Sequence, residues 1–231
     1  DIDNDFSILI NETDHIRIQV IKPGLQLFEA YKIANMVDDE LNDHIVYAFD
    51  DELGYLTANP SHLGTGLKVS VLLHLPLLAY QKIYLKFQDE AHEFGLEFKN
   101  LFNEKNPIPI FQISNSQSLG YSEIDIIENV DGFVSKVILE EDSERDKIFL
   151  QDKIMFEDYI WRSFAVIKYA KKISYYEALS HLMNVRLGII LAIIKDVPFQ
   201  VINSLLVKIQ WAHLQNEAGI SFSNNYECDI Y

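Results

Sequence analysis

The stretch GYLTANPSHLGTGLK, from Gly54 to Lys68, joins two apolar runs through a polar loop and decides how the rest of the chain is interpreted. The Asn, Pro and Gly residues of this loop favour a defined conformation that serves a function, and a simple connection between two strands remains the alternative. The glycines on either side of Thr65 allow positive φ and let the backbone approach a ligand closely. Backbone amides in such a turn, with Lys68 at its exit, would hold an anion. The stretch matches neither the Walker A motif nor the dinucleotide-binding glycine motif.

Composition indicates a globular protein and argues against two classes of partner. The chain has 231 residues, 48% of them hydrophobic, which is enough for a substantial core. Its formal net charge of −16 argues against nucleic acid and acidic membranes as partners, since both require clustered positive charge. The longest apolar run, at residues 187–194, is far shorter than the roughly 20 residues of a membrane span. A single cysteine, Cys228, excludes an internal disulfide and suits the cytoplasm, where we expect the protein.

Hydrophobic periodicity predicts strands mainly in the first half of the chain and helices mainly in the second. The predicted strands cover residues 6–12, 15–22, 46–49, 55–57, 67–74, 96–102 and 108–114. Helices are predicted over residues 25–43 and 76–94, and again from a capping box of Ser122 and Asp125 to a solvated break at residues 140–147. Three more follow at residues 148–170, 175–194 and 199–215. With no repeat or linker, we predict one α+β domain over residues 1–231.

Four basic side chains are predicted on the more polar faces of the strands. They are His15, Arg17, Lys68 and Lys99. Alternation with period two separates His15 and Arg17 from the aliphatic residues between them. A sheet covered by helices on one side and cationic on the other is a cradle for a polyanion such as a nucleotide. The alternative is that these residues are ordinary exposed charges, and the periodicity leaves both interpretations open.

Two segments resemble signatures of the guanidino kinases, the family of creatine, arginine and bacterial protein arginine kinases. INETDHIRIQ, at residues 10–19, resembles the family's Asn-Glu-Glu-Asp-His-hydrophobic-Arg pattern. LTANPSHLGTGLK, at residues 56–68, resembles its Leu-Thr-Cys-Pro-Ser/Thr-Asn-hydrophobic-Gly-Thr-Gly-Leu-Arg pattern. Order and separation agree as well. Similarity to protein arginine kinases in particular extends to PGLQL (23–27), FQISN (111–115), LGYSE (119–123) and VRLG (185–188), so the resemblance covers nearly the whole chain.

The resemblance implies the family's C-terminal catalytic domain, an antiparallel β-sheet flanked by α-helices with a glutamine synthetase-like fold. Such a domain binds Mg-ATP and transfers the γ-phosphoryl group to a guanidino nitrogen. The implied partners are ATP, protein arginine side chains or phosphoarginine proteins, an activator subunit and the Clp protease system. Magnesium would arrive with the nucleotide, and no metal-ligand spacing stands out in the sequence. The family's N-terminal helical domain has no counterpart here, so we expect a fragment or a shortened protein.

Several positions that the family uses for chemistry carry other residues. The catalytic glutamate falls on Thr13 and the reactive cysteine on Asn59, and neither supplies a negative charge. The phosphate-holding arginine after the GTG triplet falls on Lys68, which keeps the charge but loses the bidentate fork. A loop asparagine falls on His62 and a further arginine on Lys99. The loop with a second substrate-side glutamate is shortened at residues 103–107, where Glu104 matches a family residue near the turn.

The resemblance therefore implies two sets of site residues. His15, Arg17, Lys68 and Lys99 are predicted to contact the nucleotide. Glu12 and Asp14, on either side of the lost base, are predicted to substitute for it. Two hypotheses follow: an ATP:guanidino phosphotransferase, or an inactive pseudokinase that keeps the fold to bind a nucleotide or a protein partner.

Three other residues are assigned structural roles or none. His74 ends an apolar strand and is predicted to be packed and hydrogen-bonded. Arg186, on a predicted helix, is predicted to pair with a carboxylate. Cys228 lies in a polar tail far from the segment at residues 56–68, the signature loop, so the family's thiol role is not transferred to it.

Overall fold

A computed structural model describes residues 6–102, 108–221 and 229. The contacts within the chain divide it into two compact units. The first unit comprises the described residues of 1–73, 84–99 and 111–139, and the second those of 74–83, 100–110 and 140–231. The single domain over residues 1–231 stays a prediction beside this division.

The first unit begins with a hairpin and the helix that covers it. Strand β1 (Phe6–Ile10) pairs antiparallel with β2 (Ile16–Val20), with Ile8 opposite Ile18. Helix α1 (Leu27–Asn42) then packs against β2, as the apolar spacing predicts. Two very short strands, β3 (Phe49–Asp50) and β4 (Gly54–Tyr55), pair around a tight turn just before the signature loop. These strands are shorter than predicted, because Asp50 Oδ1 accepts the N–H groups of Glu52 and Leu53 and closes the turn.

A three-stranded sheet follows, in the order β5 (Ser70–His74), β7 (Ile110–Asn115) and β6 (Leu96–Asn100). Backbone bonds from Leu75 N to Pro109 O and from Asn115 N to Val69 O join opposite ends of β5 and β7, which makes the pair antiparallel. The apolar side chains that share one face of these strands are buried, including Val71, Phe98 and Phe111. The predicted α+β fold with antiparallel sheets and flanking helices is confirmed.

The helix predicted over residues 76–94 is interrupted. Helix α2 (Pro76–Tyr80) ends where Lys82 takes a φ of +60°, and α3 (Tyr84–Glu93) begins just beyond it. A positive φ at a non-glycine residue breaks the helical path, so one predicted helix becomes two. Apolar periodicity continues across the break, with Tyr84, Phe87 and Ala91 buried, which is why the sequence pattern hides it.

Helix α4 (Glu123–Gln151) runs through the segment predicted as a solvated break at residues 140–147. Its capping box is confirmed: Asp125 N donates to Ser122 Oγ at 3.2 Å, and Ser122 N donates to Asp125 Oδ2 at 3.1 Å. The predicted break at residues 140–147 is wrong, because charged side chains of this segment have specific partners along the helix and on α2. In particular, buried Glu141 accepts the backbone N–H groups of Leu77 and Leu78, each at 3.0 Å. Its carboxyl thereby caps the start of α2.

The second unit is built mainly from C-terminal helices. They are α5 (Lys153–Tyr169), α6 (Tyr175–Ile190), α7 (Phe199–Lys208) and α8 (Trp211–Ala218). Helix α6 packs against both α5 and α7, and a Cβ on Gly188 would stand 2.4 Å from the Ile160 side chain. The helix predicted over residues 199–215 is divided, because the chain leaves helical geometry at Gln210 with ψ of 140°.

Candidate functional site

The signature loop is shaped by its own hydrogen bonds. Asn59 Oδ1 accepts Ser61 N at 3.1 Å and Ser61 Oγ at 2.8 Å, and so caps a short 3-10 helix at Pro60–His62. Gly66 N then donates to His62 O at 3.0 Å and closes the next turn. The Asn59 side chain therefore serves as a helix cap.

The two glycines of the GTG triplet have different surroundings. Gly64 has a φ of +104°, and its carbonyl accepts Tyr55 N at 2.8 Å. A Cβ at Gly64 would stand 2.8 Å from Leu119 Cα, so the backbone there lies too close to its neighbours for any side chain. Gly66 has a φ of +68° with nothing within 4 Å of its Cβ position. Gly64 thus anchors the loop, while Gly66 leaves room beside it.

Both predicted acceptor-side carboxylates already have partners. Asp14 Oδ1 accepts Ala58 N at 2.5 Å and ties the β1–β2 connection to the signature loop. Glu12 Oε2 lies 3.2 Å from Arg17 Nη1, and both side chains are half exposed. Hydrogen bonds from the Thr13 backbone and from Arg17 lower the pKa of Glu12, which weakens it as a proton acceptor.

Lys68 lies just before β5, where Asn115 organises the backbone. Asn115 is buried; its Oδ1 accepts Val69 N at 2.8 Å and its Nδ2 donates to Leu67 O at 3.0 Å. The Lys68 ammonium donates to the Asn115 carbonyl. Partial desolvation lowers the pKa of Lys68, with Glu97 opposing that shift and Lys99 adding to it. The ammonium is thus held at the end of the three-stranded sheet.

The pKa of His62 responds to two of the residues that were predicted to contact the nucleotide, Arg17 and Lys68. Burial lowers the pKa of its imidazole, Lys68 and Arg17 lower it further, and Asp14 raises it. These groups therefore lie close enough to act on one side chain of the signature loop. The charge of Lys99 lowers the pKa of Lys68 in turn. The Lys99 ammonium also lies 3.2 Å from Glu97 Oε2. His62 is expected to be neutral at pH 7.

The four predicted cations do not share one sheet face. Arg17 lies on β2 of the hairpin and Lys99 on β6 of the three-stranded sheet, which are separate sheets among the described residues. Lys68 lies outside β5 because the Asn115 side chain takes the backbone groups on either side of it. His15 Nδ1 lies 3.1 Å from Asn11 Oδ1, and no described contact links it to the signature loop. The single cationic sheet face predicted from alternation was wrong.

Asn115 and Glu97, which contact the cations Lys68 and Lys99, were not predicted from the sequence. The FQISN segment at residues 111–115 carried the only signal for Asn115, since a polar residue ends a buried strand there. Glu104 and Cys228 lie outside the described residues. Within the described ranges, no group of three or more His, Cys, Asp or Glu side chains could hold a metal ion. None of the helices described there is long and apolar enough to cross a bilayer.

Comparison with protein families agrees with this architecture. Residues 1–144 match the ATP:guanido phosphotransferase C-terminal catalytic domain, and residues 153–230 match the protein-arginine kinase McsB C-terminal domain. The first match covers more than half of the chain, so the chain belongs to the ATP:guanido phosphotransferase family. The resemblance inferred from the two signature segments is confirmed.

Several relatives within the family are protein-arginine kinases. The one from Symbiobacterium thermophilum is 40% identical over 219 residues, which are 94% of this chain and 62% of that protein. The one from Caldanaerobacter subterraneus subsp. tengcongensis is 36% identical over 230 residues, which are 99% of this chain and 68% of that protein. The duplicated taurocyamine kinase from Schistosoma mansoni, solved with transition state analog components, has a TM-score of 0.53 at 30% identity over 59% of this chain and 19% of its own. The chain thus spans about three fifths of the first relative.

Proposed function

We propose that the chain is the catalytic domain of a phosphotransferase that moves the γ-phosphoryl group of ATP to arginine side chains of proteins. One observation carries the proposal: Asp14 Oδ1 accepts the Ala58 N–H and so ties the hairpin connection that leads to Arg17 to the signature loop, and Lys68 at the end of that loop is held by the Asn115 carbonyl. Cations from the hairpin and from the loop are therefore brought towards the GTG triplet, in agreement with the effect of Arg17 and Lys68 on the pKa of His62. A triphosphate requires such convergence, because charge on its oxygens must be stabilised from several directions.

The proposed nucleotide contacts follow from the position of each cation. Arg17 is half exposed and can exchange its pairing with Glu12 for a phosphate oxygen. Lys68 and Lys99 would contact the other phosphate groups, and open space beside Gly66 lets the nucleotide approach the loop. His15 stays a predicted contact from the hairpin. Magnesium, carried in by ATP, would neutralise part of the phosphate charge.

Transfer requires an oriented acceptor and a place for its proton. The bond between the γ-phosphorus and the bridging oxygen breaks to release ADP, and a bond forms from phosphorus to a guanidino nitrogen. The guanidinium loses one proton in the process, and Glu12 or Asp14 would receive it. Protein arginine side chains are proposed as the acceptor because the relatives are protein-arginine kinases. A cytoplasmic location, an activator subunit and the Clp protease system are proposed on the same family basis.

A second candidate is a pseudokinase that binds nucleotide without transfer. The observation that favours it is the state of the acceptor side: Asp14 is bonded to Ala58 N, and Glu12 is paired with Arg17. Asn59 uses its amide oxygen as a helix cap, and Thr13 is not a carboxylate. Asp14 already serves to hold the loop, and the lowered pKa of Glu12 makes it a weak proton acceptor, so binding would survive and turnover would not.

The test uses the complete natural protein, Mg-ATP and a protein substrate, with acid-labile phosphoarginine as the readout. Phosphorylation that Arg17→Ala abolishes and Arg162→Ala leaves intact would support the transferase. Arg162 is a matched control, because it is an exposed arginine paired with Asp158 in the second unit. No transfer, together with saturable stabilisation by ATP, would support the pseudokinase. Failure of both would reject the nucleotide site itself.

Restoring the family's residue types at two positions distinguishes a slow enzyme from an inactive one. Thr13→Glu combined with Asn59→Cys returns the family's residue types to both altered positions. If the missing base limits transfer, this double variant should form phosphoarginine at least tenfold faster than the parent protein. ATP affinity is measured in parallel, because Asn59 also caps the short 3-10 helix of the signature loop and its loss could weaken binding separately from transfer. A double variant with unchanged transfer would show that the base is not what limits the reaction.

A further inference from the structure

Two side chains from one short segment hold the two ends of the GTG triplet at residues 64–66. Just before the triplet, Leu63 O accepts a hydrogen bond from Ser118 Oγ at 3.1 Å. Just after it, Leu67 O accepts one from Asn115 Nδ2 at 3.0 Å. The ends of the triplet are therefore fixed by side chains that lie 55 and 48 residues away along the chain.

Both side chains are polar and buried. Ser118 is fully buried, and Asn115 is 3% exposed. Every polar atom of the Asn115 side chain is used, since Oδ1 accepts Val69 N at 2.8 Å and Nδ2 also donates to Gln117 O at 3.1 Å. Burying such groups is unfavourable unless they are hydrogen-bonded. An apolar residue would fill the same space, so these two side chains serve to fix the backbone that they contact.

The triplet between these fixed ends is crowded at one glycine and open at the other. A Cβ at Gly64 would stand 2.9 Å from Ser118 O, whereas a Cβ at Gly66 would meet nothing within 4 Å. Asn115 has a further contact here, because its backbone carbonyl accepts the Lys68 ammonium while its side chain holds the residues on either side of Lys68. The same segment thus holds the bend and the cation at its exit.

We propose that Ser118 and Asn115 are positioning residues for phosphate binding, with Ser118 acting through the GTG triplet and Asn115 acting through Lys68. This inference rests on the proposed nucleotide site. Loop and cation bind phosphate oxygens best when both are in place before the ligand arrives, because ordering them on binding costs affinity. Loss of either side chain leaves one end of the triplet unfixed and adds that cost to nucleotide binding.

The first experiment measures ATP binding by calorimetry with the complete natural protein, well below its unfolding temperature. Ser118→Ala should raise the ATP dissociation constant about tenfold, because one buried hydrogen bond to the loop is lost. Ser114→Ala is the matched control, as it deletes the same hydroxyl from another fully buried serine. Ser114 Oγ, like both ring nitrogens of His74 that were predicted to be hydrogen-bonded, is buried without a partner among the described residues. The control should leave the constant unchanged.

A second experiment tests whether Asn115 acts through Lys68. Asn115→Ala should raise the ATP dissociation constant about tenfold in the parent protein and no more than about threefold in the Lys68→Met background. A purely structural role would give the same effect in both backgrounds. Asn184→Ala is the control, because it removes a buried asparagine that bonds Ser163 Oγ at 3.0 Å in the second unit. It should lower the urea midpoint without changing ATP binding.

The outcomes separate this inference from the proposed function. If the parent protein binds ATP, but Ser118→Ala and Asn115→Ala behave as their controls do, the positioning roles are rejected and the nucleotide site stands. An effect of Asn115→Ala that is equal in both backgrounds would reject its action through Lys68. Absence of ATP binding by the parent protein would reject the nucleotide site, and this inference with it.

Discussion

The buried carboxyl of Glu141 allows a quantitative test of how α4 holds the second unit. Each of its oxygens accepts a backbone N–H from the start of α2, at Leu77 and Leu78. In Glu141→Gln the amide nitrogen cannot accept, so one buried N–H loses its partner and faces another donor. At a pH near 5, where the native carboxyl is protonated, we expect the variant to lose about 1–3 kcal/mol of unfolding free energy.

This deficit should shrink as the pH rises. Burial raises the pKa of Glu141 from its ordinary 4.5 to about 7, although the Leu78 and Leu77 hydrogen bonds oppose the shift. Because the folded-state pKa lies above the unfolded one, the native state binds the extra proton between those values. Stability of the parent protein therefore falls as the pH rises through that window, by up to about 3 kcal/mol. Glutamine does not titrate, so the variant lacks this slope.

Urea unfolding followed by tryptophan fluorescence at several pH values measures both quantities. Both tryptophans, Trp161 and Trp211, belong to the second unit, so the signal reports on that unit. Glu128→Gln is the control, as it makes the same change at an exposed position of α4. A deficit that stays constant or grows between pH values of about 5 and 8 would refute the reasoning. It would mean that the two N–H bonds outweigh burial and keep Glu141 ionised.

Three further predictions concern the first unit. Gly64→Ala puts a Cβ 2.8 Å from Leu119 Cα at a φ of +104°, so we expect a loss of about 2 kcal/mol or more in chemical denaturation. Asp14→Ala removes the acceptor of the Ala58 N–H, whereas Asp14→Asn keeps one. Only the alanine variant should weaken ATP binding measured by calorimetry. Equal losses of affinity in the two variants would exclude a positioning role for Asp14. Lys68→Met should raise the ATP dissociation constant about tenfold at low salt and less at high salt, and an unchanged constant would remove Lys68 from the site.

Local patterns in the sequence predict most of the elements but not their interruptions. The spacing of apolar residues locates α1, and the reciprocal bonding of Ser122 and Asp125 locates the start of α4, because both depend on residues within a few positions of each other. The break at Lys82 depends on one backbone angle inside an otherwise regular pattern. The continuity of α4 depends on Glu141 meeting backbone donors 63 and 64 residues away along the chain.

The candidate site likewise combines residues that local motifs locate with contacts that the sequence does not predict. The GTG triplet and Arg17 can be located from sequence, because each belongs to a compact motif. Alternation alone placed Lys68 in a strand, but the side chain of Asn115, at the end of the neighbouring strand β7, takes the backbone groups on either side of Lys68. Arg186 was predicted from its place on a helix to pair with a carboxylate, but its guanidinium Cζ lies 4.5 Å from the centroid of the Phe199 ring, and no ion pair is found for it among the described residues. Pairwise contacts between distant segments decide these cases.

The bond from Ala58 to Asp14 joins segments separated by 44 residues. It closes a large loop of chain before any ligand arrives, so the entropy lost in aligning the hairpin connection with the GTG bend is incurred during folding. A nucleotide would then meet a preorganised cradle and would spend little of its affinity on ordering it.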